Sequence, residues 1–165
     1  MKASALELAA RIRGEVVELD RVVERTQRVW SRAVRSEPDQ DLYIESVALN
    51  LHGLYSGIER LFELIARRID RSAPSGETWH RDLLEQMARD QTEARPAVIS
   101  QASANGLDEF RRFRHLVRNV YTTNLVPEKI AKLMAQLGNV WTRTRAELLA
   151  FAEFLEELDR PDSTP

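Results

Sequence analysis

The sequence predicts an all-α protein, an up-and-down bundle of four main helices plus a shorter one, and three observations carry that expectation. Apolar residues recur in alternating steps of three and four through most of the chain. No stretch of useful length alternates apolar with polar as a half-buried strand would. Two breaks, at Ser72 to Gly76 and Asn124 to Pro127, fold the chain back on itself. With 165 residues, 43% of them hydrophobic, the chain lies in the usual range of one domain with a real core. Residues 1–159 are therefore expected to form a single helical domain. Residues 160–165, which hold no apolar side chain, are expected to be a disordered tail.

The first helix is expected from about Ser4 to Arg35, where Ala9, Ile12, Val16, Leu19, Val23, Thr26, Trp30 and Ala33 share a face. The Ser36-Glu37-Pro38-Asp39 stretch ends it, because proline disfavours helix in the residue before it. A second helix from about Gln40 to Ile69 places Ile44, Val47, Leu51, Leu54, Ile58, Leu61 and Ile65 on one stripe, flanked by Tyr55, Phe62 and Ile69. So broad an apolar face must meet more than one neighbour, which puts this helix at the centre of the bundle. Gly53 and Gly57 lie four apart on it. Glycine costs about 1 kcal/mol relative to alanine inside a helix, so close approach of another helix is expected in compensation.

After the loop at Ser72 to Gly76, a third and shorter helix is expected over roughly Thr78 to Thr92, with Trp79, Leu83, Leu84 and Met87 inward. Arg95-Pro96 breaks it, and Pro96 is suited to open a helical turn through Ile99. The link through Ser103, Asn105 and Gly106 reads as weakly helical or kinked, which starts the fourth helix near Leu107 and carries it to Thr122. Pro127 suits the first turn of a last helix, whose Ile130, Leu133, Leu137, Val140, Trp141, Leu148, Phe151, Leu155 and Leu158 run to the tail.

Composition narrows the function classes. A formal charge of −2 gives no global attraction to nucleic acid, so any such role rests on a local patch. The absence of cysteine excludes disulfides and thiolate metal sites and fits a reducing compartment. The N-terminal MKASALELAARIRGEV carries charges throughout, so a soluble cytoplasmic protein without membrane contact is expected. There is no glycine-rich phosphate loop, no Gly-x-Ser-x-Gly elbow and no zinc spacing, and no cofactor is implied. Glu77 and His80 match the Glu-x-x-His spacing of carboxylate-bridged metal bundles, but the pair occurs once and straddles a loop, so no metal is expected. His80 is expected to cap a helix or pack beside Trp79. His52, within the broad apolar face of the second helix, reads first as a hydrogen-bonded core residue.

The stretch around which the chain is organised is FRRFRHLVRNVY, Phe110 to Tyr121. At roughly 100° per residue, Phe110, Phe113, Leu116, Val117 and Val120 gather on one arc, and Arg111, Arg114, His115, Arg118 and Thr122 on the other. Asn119 and Tyr121 flank the cationic arc. Between Asp108 and Thr122 stand four arginines and two acids. Guanidinium forks suit phosphate oxygens, and they equally suit carboxylates of neighbouring helices such as Glu59, Glu63 or Asp82, so the residues alone leave both uses open.

Arg114, followed by a polar residue and, four residues further on, by position 119, with Tyr121 two beyond, resembles the signature of HEPN ribonucleases of the HepT-like branch. LNLHGLYSGIERLFELIARRID, PSGETWHRDLLEQM and RPAVIS extend the likeness over about Gln40 to Tyr121. The resemblance implies a HEPN-like helical homodimer whose two signature helices face each other in one composite, metal-independent endoribonuclease site. It further implies the toxin of a toxin–antitoxin pair, whose antitoxin partner is a minimal nucleotidyltransferase. On that likeness Arg114 contacts the scissile phosphate of RNA, Arg111 and Arg118 bind neighbouring phosphates, His115 fills the polar position, and Tyr121 is the residue that receives AMP.

One position departs from the signature. Where it calls for histidine the chain has Asn119, which cannot exchange a proton at neutral pH. A positioned histidine contributes about 10² to 10⁴-fold to such proton transfers. Either His115 does that work or the chain is a non-catalytic helical binding module that docks a nucleotidyltransferase or nucleic acid through the same face.

Overall fold

The computed structural model describes residues 2–35, 38–119 and 125–160. In chain order α1 spans Lys2–Ala33, α2 Gln40–Ile65, α3 Trp79–Met87, α4 Gln101–Asn119 and α5 Pro127–Glu157, and a π-helical turn, Ala66–Asp70, continues α2. These are the four long helices and one short one that the apolar periodicity predicted. Ser36 and Glu37 of the stretch between α1 and α2, Val120 to Thr122 of the organising stretch, Asn124 of the break before α5 and the tail at 161–165 lie outside the described residues.

The breadth of the apolar face of α2 explains its place: it packs against all four other helices. Leu51, Leu54, Ile58, Leu61 and Ile65 are buried on one stripe, and Tyr55 and Phe62 on the next. Neighbours run antiparallel. Leu19 of α1 lies against Gly57 of α2, while Gln40 at the start of α2 donates to the Ala33 carbonyl at the end of α1 (3.0 Å). Along the α1–α5 seam Arg13 pairs with Glu156 (2.8 Å), and further up α1 Asp20 accepts from Trp141 Nε1 (2.8 Å) and Arg145 Nε (3.0 Å).

Close approach explains two glycines. A Cβ on Gly57 would stand 2.7 Å from Leu19 Cδ2, and one on Gly106 would stand 2.8 Å from Val140 Cγ2, so α1 crosses α2 and α5 crosses α4 where no side chain fits. Gly53, for which the same compensation was expected, meets nothing within 4 Å.

The largest differences from the sequence reading lie around the connection between α3 and α4. Met87 ends α3 because its carbonyl accepts from the amides of Val98 (2.9 Å) and Ile99 (3.2 Å). Ala97 N donates to Asp90 Oδ1 (2.8 Å), so the amides after Pro96 bond back toward α3 and build no helical turn. Ser100 then caps α4, its hydroxyl accepting from Ser103 N (3.1 Å), and the helix runs unbroken through Asn105 and Gly106. The connection is fixed from below by Arg95. Its guanidinium, fully buried, donates to both oxygens of Asp70 (2.6 and 2.7 Å) and to the carbonyls of Gln86, Arg89 and Pro96.

Gly106→Ala is expected to destabilise the fold. Val140 is β-branched and has few rotamers, so overpacking at about 1–3 kcal/mol outweighs the ~1 kcal/mol of helix propensity gained. Gly14→Ala, in α1 with open space around it, is expected to stabilise by about 0.5–1 kcal/mol. Urea unfolding with an unchanged m-value measures both. Equal gains at the two positions would mean that the α4–α5 contact yields at no cost.

Candidate active site on helix 4

The apolar arc of α4 places its polar arc. Phe110 and Phe113 are buried in the core, and this turns Arg114 toward α2 and α3. Ser56 and Glu59, three residues apart and therefore on one face of α2, receive it. Arg114 Nε donates to Ser56 Oγ (2.8 Å) and Nη1 to Glu59 Oε1 (2.9 Å). The Ser56 hydroxyl donates to the His52 carbonyl (2.8 Å), which leaves its oxygen free to accept from Arg114. The guanidinium is thereby fixed in orientation, with 18% of the side chain exposed against 4% for Glu59.

The second oxygen of Glu59 meets His80 Nδ1 at 2.8 Å. His80 is the second residue of α3 and stacks on its neighbour Trp79, ring centroids 3.6 Å apart and 29° between planes. A carboxylate beside Nδ1 selects the tautomer with the proton there, which makes Nε2 the acceptor of the neutral ring. Nδ1 also lies 3.4 Å from Arg114 Nη1. Both atoms carry protons, so this is proximity enforced by their shared carboxylate. Glu59 thus joins three helices: its own, α3 through His80 and α4 through Arg114.

The remaining predicted residues divide. Arg111 donates to Asp108 Oδ1 (2.7 Å), one turn earlier on α4, and Arg112 pairs with the other oxygen of the same carboxylate (2.8 Å). The sequence left phosphates and carboxylates of neighbouring helices both open as partners of the cationic arc. Arg111 and Arg114 are in fact both paired, since acids on their own helix and on α2 lie within side-chain reach. His115 is exposed and turned about 100° from Arg114 around the axis. The side chains of Arg118 and Asn119, and all of Tyr121, lie outside the described residues. Of the other acids weighed as partners, Glu63 pairs with Arg67 (3.4 Å), and Asp82 accepts from Thr78 (2.8 Å).

His80 does pack beside Trp79 as expected. Its bond to Glu59 was not foreseen. A signal for Glu59 exists in the sequence, because it falls in step with the flanking apolar stripe, four residues after Tyr55 and three before Phe62. An acid at a core position requires a partner. Glu77 and His80 gather no third ligand: among the described residues no group of three or more His, Asp or Glu is placed to hold a metal ion.

A family model described as HepT-like protein matches residues 46–155. The chain belongs to the HepT-like family of the HEPN superfamily. No curated protein and no solved structure matches it. The matched span runs from within α2 into the last turn of α5, so Ser56, Glu59, His80 and Arg114 all belong to the HepT-like part of the chain. Among its described residues no helix is long and apolar enough to cross a membrane.

Beneath the cluster of this HepT-like chain, Tyr55 is buried and its hydroxyl has no hydrogen-bond partner among the described residues. Burial raises its pKa above the ordinary tyrosine value, reinforced by the charge of Glu59. The folded state then keeps a proton that an unfolded tyrosine releases near pH ~10, so stability falls as pH rises through that value toward the raised folded pKa. Tyr55→Phe is expected to leave neutral-pH stability unchanged or raised by up to about 1 kcal/mol and to extend the folded range upward. Thermal unfolding between about pH 8 and 11 reads both effects. A loss above ~1 kcal/mol at neutral pH would show that the hydroxyl is bonded.

Proposed function

We propose that this HepT-like chain is the toxin of a toxin–antitoxin pair, a cytoplasmic, metal-independent endoribonuclease whose site is completed by a second copy of itself. The observation that carries the reading is the bracing of Arg114 by Ser56 and Glu59. A guanidinium has five N–H donors, and the two bonds to α2 set its plane while leaving further donors for a phosphate. In this reading Arg114 contacts the scissile phosphate, His115 and Asn119 serve the same catalytic site, and Arg111 and Arg118 take neighbouring phosphates. Pre-orientation of a donor toward developing phosphate charge lowers the barrier because no reorganisation remains to be done during the reaction.

The exposed face of α2 supports the homodimer. Leu42 and Leu49 are exposed there, and at roughly 100° per residue Gly53 and Ser56 fall on the same arc. A second copy on that apolar strip would lie directly beside the Ser56–Arg114 bond. The absence of a side chain at Gly53 would let its backbone come close.

The non-catalytic reading keeps one observation in its favour, the asparagine at position 119. Purified protein on a mixed RNA substrate in chelator separates the two. Arg114→Ala is expected to abolish cleavage while thermal unfolding still shows a folded protein. Cleavage by Arg114→Ala at the wild-type rate would transfer the phosphate contact elsewhere.

A nucleotidyltransferase antitoxin completes the pair in this reading, by attaching AMP to Tyr121. A phosphate and a nucleotide beside the arginines would cancel their field and obstruct RNA. Mass spectrometry of the chain co-produced with a nucleotidyltransferase from the neighbouring reading frame is expected to find AMP on Tyr121. An unmodified Tyr121 beside an active partner would leave that residue without the regulatory role.

A further inference from the structure

The motif position that lacks histidine leaves RNA cleavage without a proton acceptor at position 119, and the fold brings another histidine to the same arginine. We propose that His80 of α3 is the general base of this site, with Glu59 as its positioning residue. The assignment rests on the ribonuclease reading above.

Four features of the geometry support it. Glu59 Oε2 engages Nδ1 at 2.8 Å, which directs the proton of the neutral ring to Nδ1 and the lone pair to Nε2. Nε2 itself has no hydrogen bond to a described residue. Trp79, stacked at 3.6 Å, fixes the plane of the imidazole, and 21% of the His80 side chain remains exposed. The ring lies 3.4 Å from the Arg114 guanidinium, so a phosphate bound to Arg114 brings the adjoining ribose to the imidazole. Among the described residues, the charged groups that face His80 are Glu59 of α2 and Arg114 of α4, of opposite sign.

The step balances without metal or cofactor. Nε2 takes the proton of the ribose 2′-hydroxyl as that oxygen attacks phosphorus. The 2′-O–P bond forms and the P–O5′ bond breaks, giving a 2′,3′-cyclic phosphate. The departing 5′-oxygen takes a proton from water, and the imidazolium returns its proton to solvent. Arg114 stays on the non-bridging oxygens throughout. Without this role the cluster is a purely structural tie between α2, α3 and α4, and the test must separate the two.

His80→Asn does so, because its amide can still donate to Glu59 from near the position of Nδ1 while Nε2 is lost. His80→Gln, measured alongside, places an amide further out and guards against one variant failing to fold. With the melting temperature retained, both are expected to slow cleavage about 10² to 10⁴-fold, to flatten the pH–rate profile on its acidic side, and to regain activity when free imidazole is added. Arg114→Ala, which lacks the phosphate contact, is expected to gain nothing from imidazole. Folded His80 variants that cleave at the wild-type rate overturn the assignment and leave the ribonuclease reading in place, as does a loss that imidazole does not restore. A wild-type protein that cleaves no RNA overturns both.

Discussion

The arrangement of this protein depends on one buried carboxylate. Glu59 sits in the apolar flank of the central helix, where an isolated charge would cost several kcal/mol in lost hydration. Two donors offset that cost, and they come from two other helices: Arg114 from α4 and His80 from α3. The same bonds that make the acid tolerable in the core therefore fix where α3 and α4 sit on α2. They also fix the orientation of the two side chains best suited to phosphate chemistry. Stability and site geometry are here one set of contacts.

A second buried pair does comparable work at the other end of α3. Asp70 and Arg95 exclude solvent almost completely, and Arg95 spends its remaining donors on three carbonyls of the α3–α4 connection. The Arg89 and Pro96 carbonyls gain in it a donor at the helix end and loop, and the Gln86 carbonyl a second one beside Arg89 N. The connection consequently has one path, Ser100 caps α4 at a defined place, and α4 enters the bundle in the register that sets Phe110 and Phe113 inward and Arg114 toward α2. The π-helical turn Ala66–Asp70 lies where the continuous α2 must end and its last acid must meet Arg95.

Bracing an arginine with an acid exchanges charge for geometry. Glu59 reduces the net positive field at Arg114, and Asp108 does the same for Arg111 and Arg112. Long-range attraction of RNA is weakened accordingly, in a chain whose overall charge is already negative. What the arrangement gains is a guanidinium that loses little rotamer entropy when it meets a phosphate, because its plane is already set. On the proposed ribonuclease reading, that balance suits a site that acts on a bound strand better than one that gathers strands from solution.

The helical fold was legible because the three-four rhythm of apolar residues is a local property: each helix must bury one face whatever its neighbours are. The organising stretch was legible for the same reason, down to the separation of Phe110 and Phe113 from Arg111 and Arg114. The connection between α3 and α4 was misread at Pro96, and the start of α4 with it, because its amides and its arginine are satisfied by Met87, Asp90 and Asp70, a pairing that no local propensity encodes. The use of the cationic face stayed open in the sequence since an arginine matches a carboxylate and a phosphate equally well. Only the packing of α4 on α2 decided that Arg114 meets Glu59, and only the placement of α3 brought His80 to the same acid. Hydrophobic periodicity fixes which face of a helix turns inward, whereas the pairing of polar groups depends on distances between helices that exist only once the chain has folded.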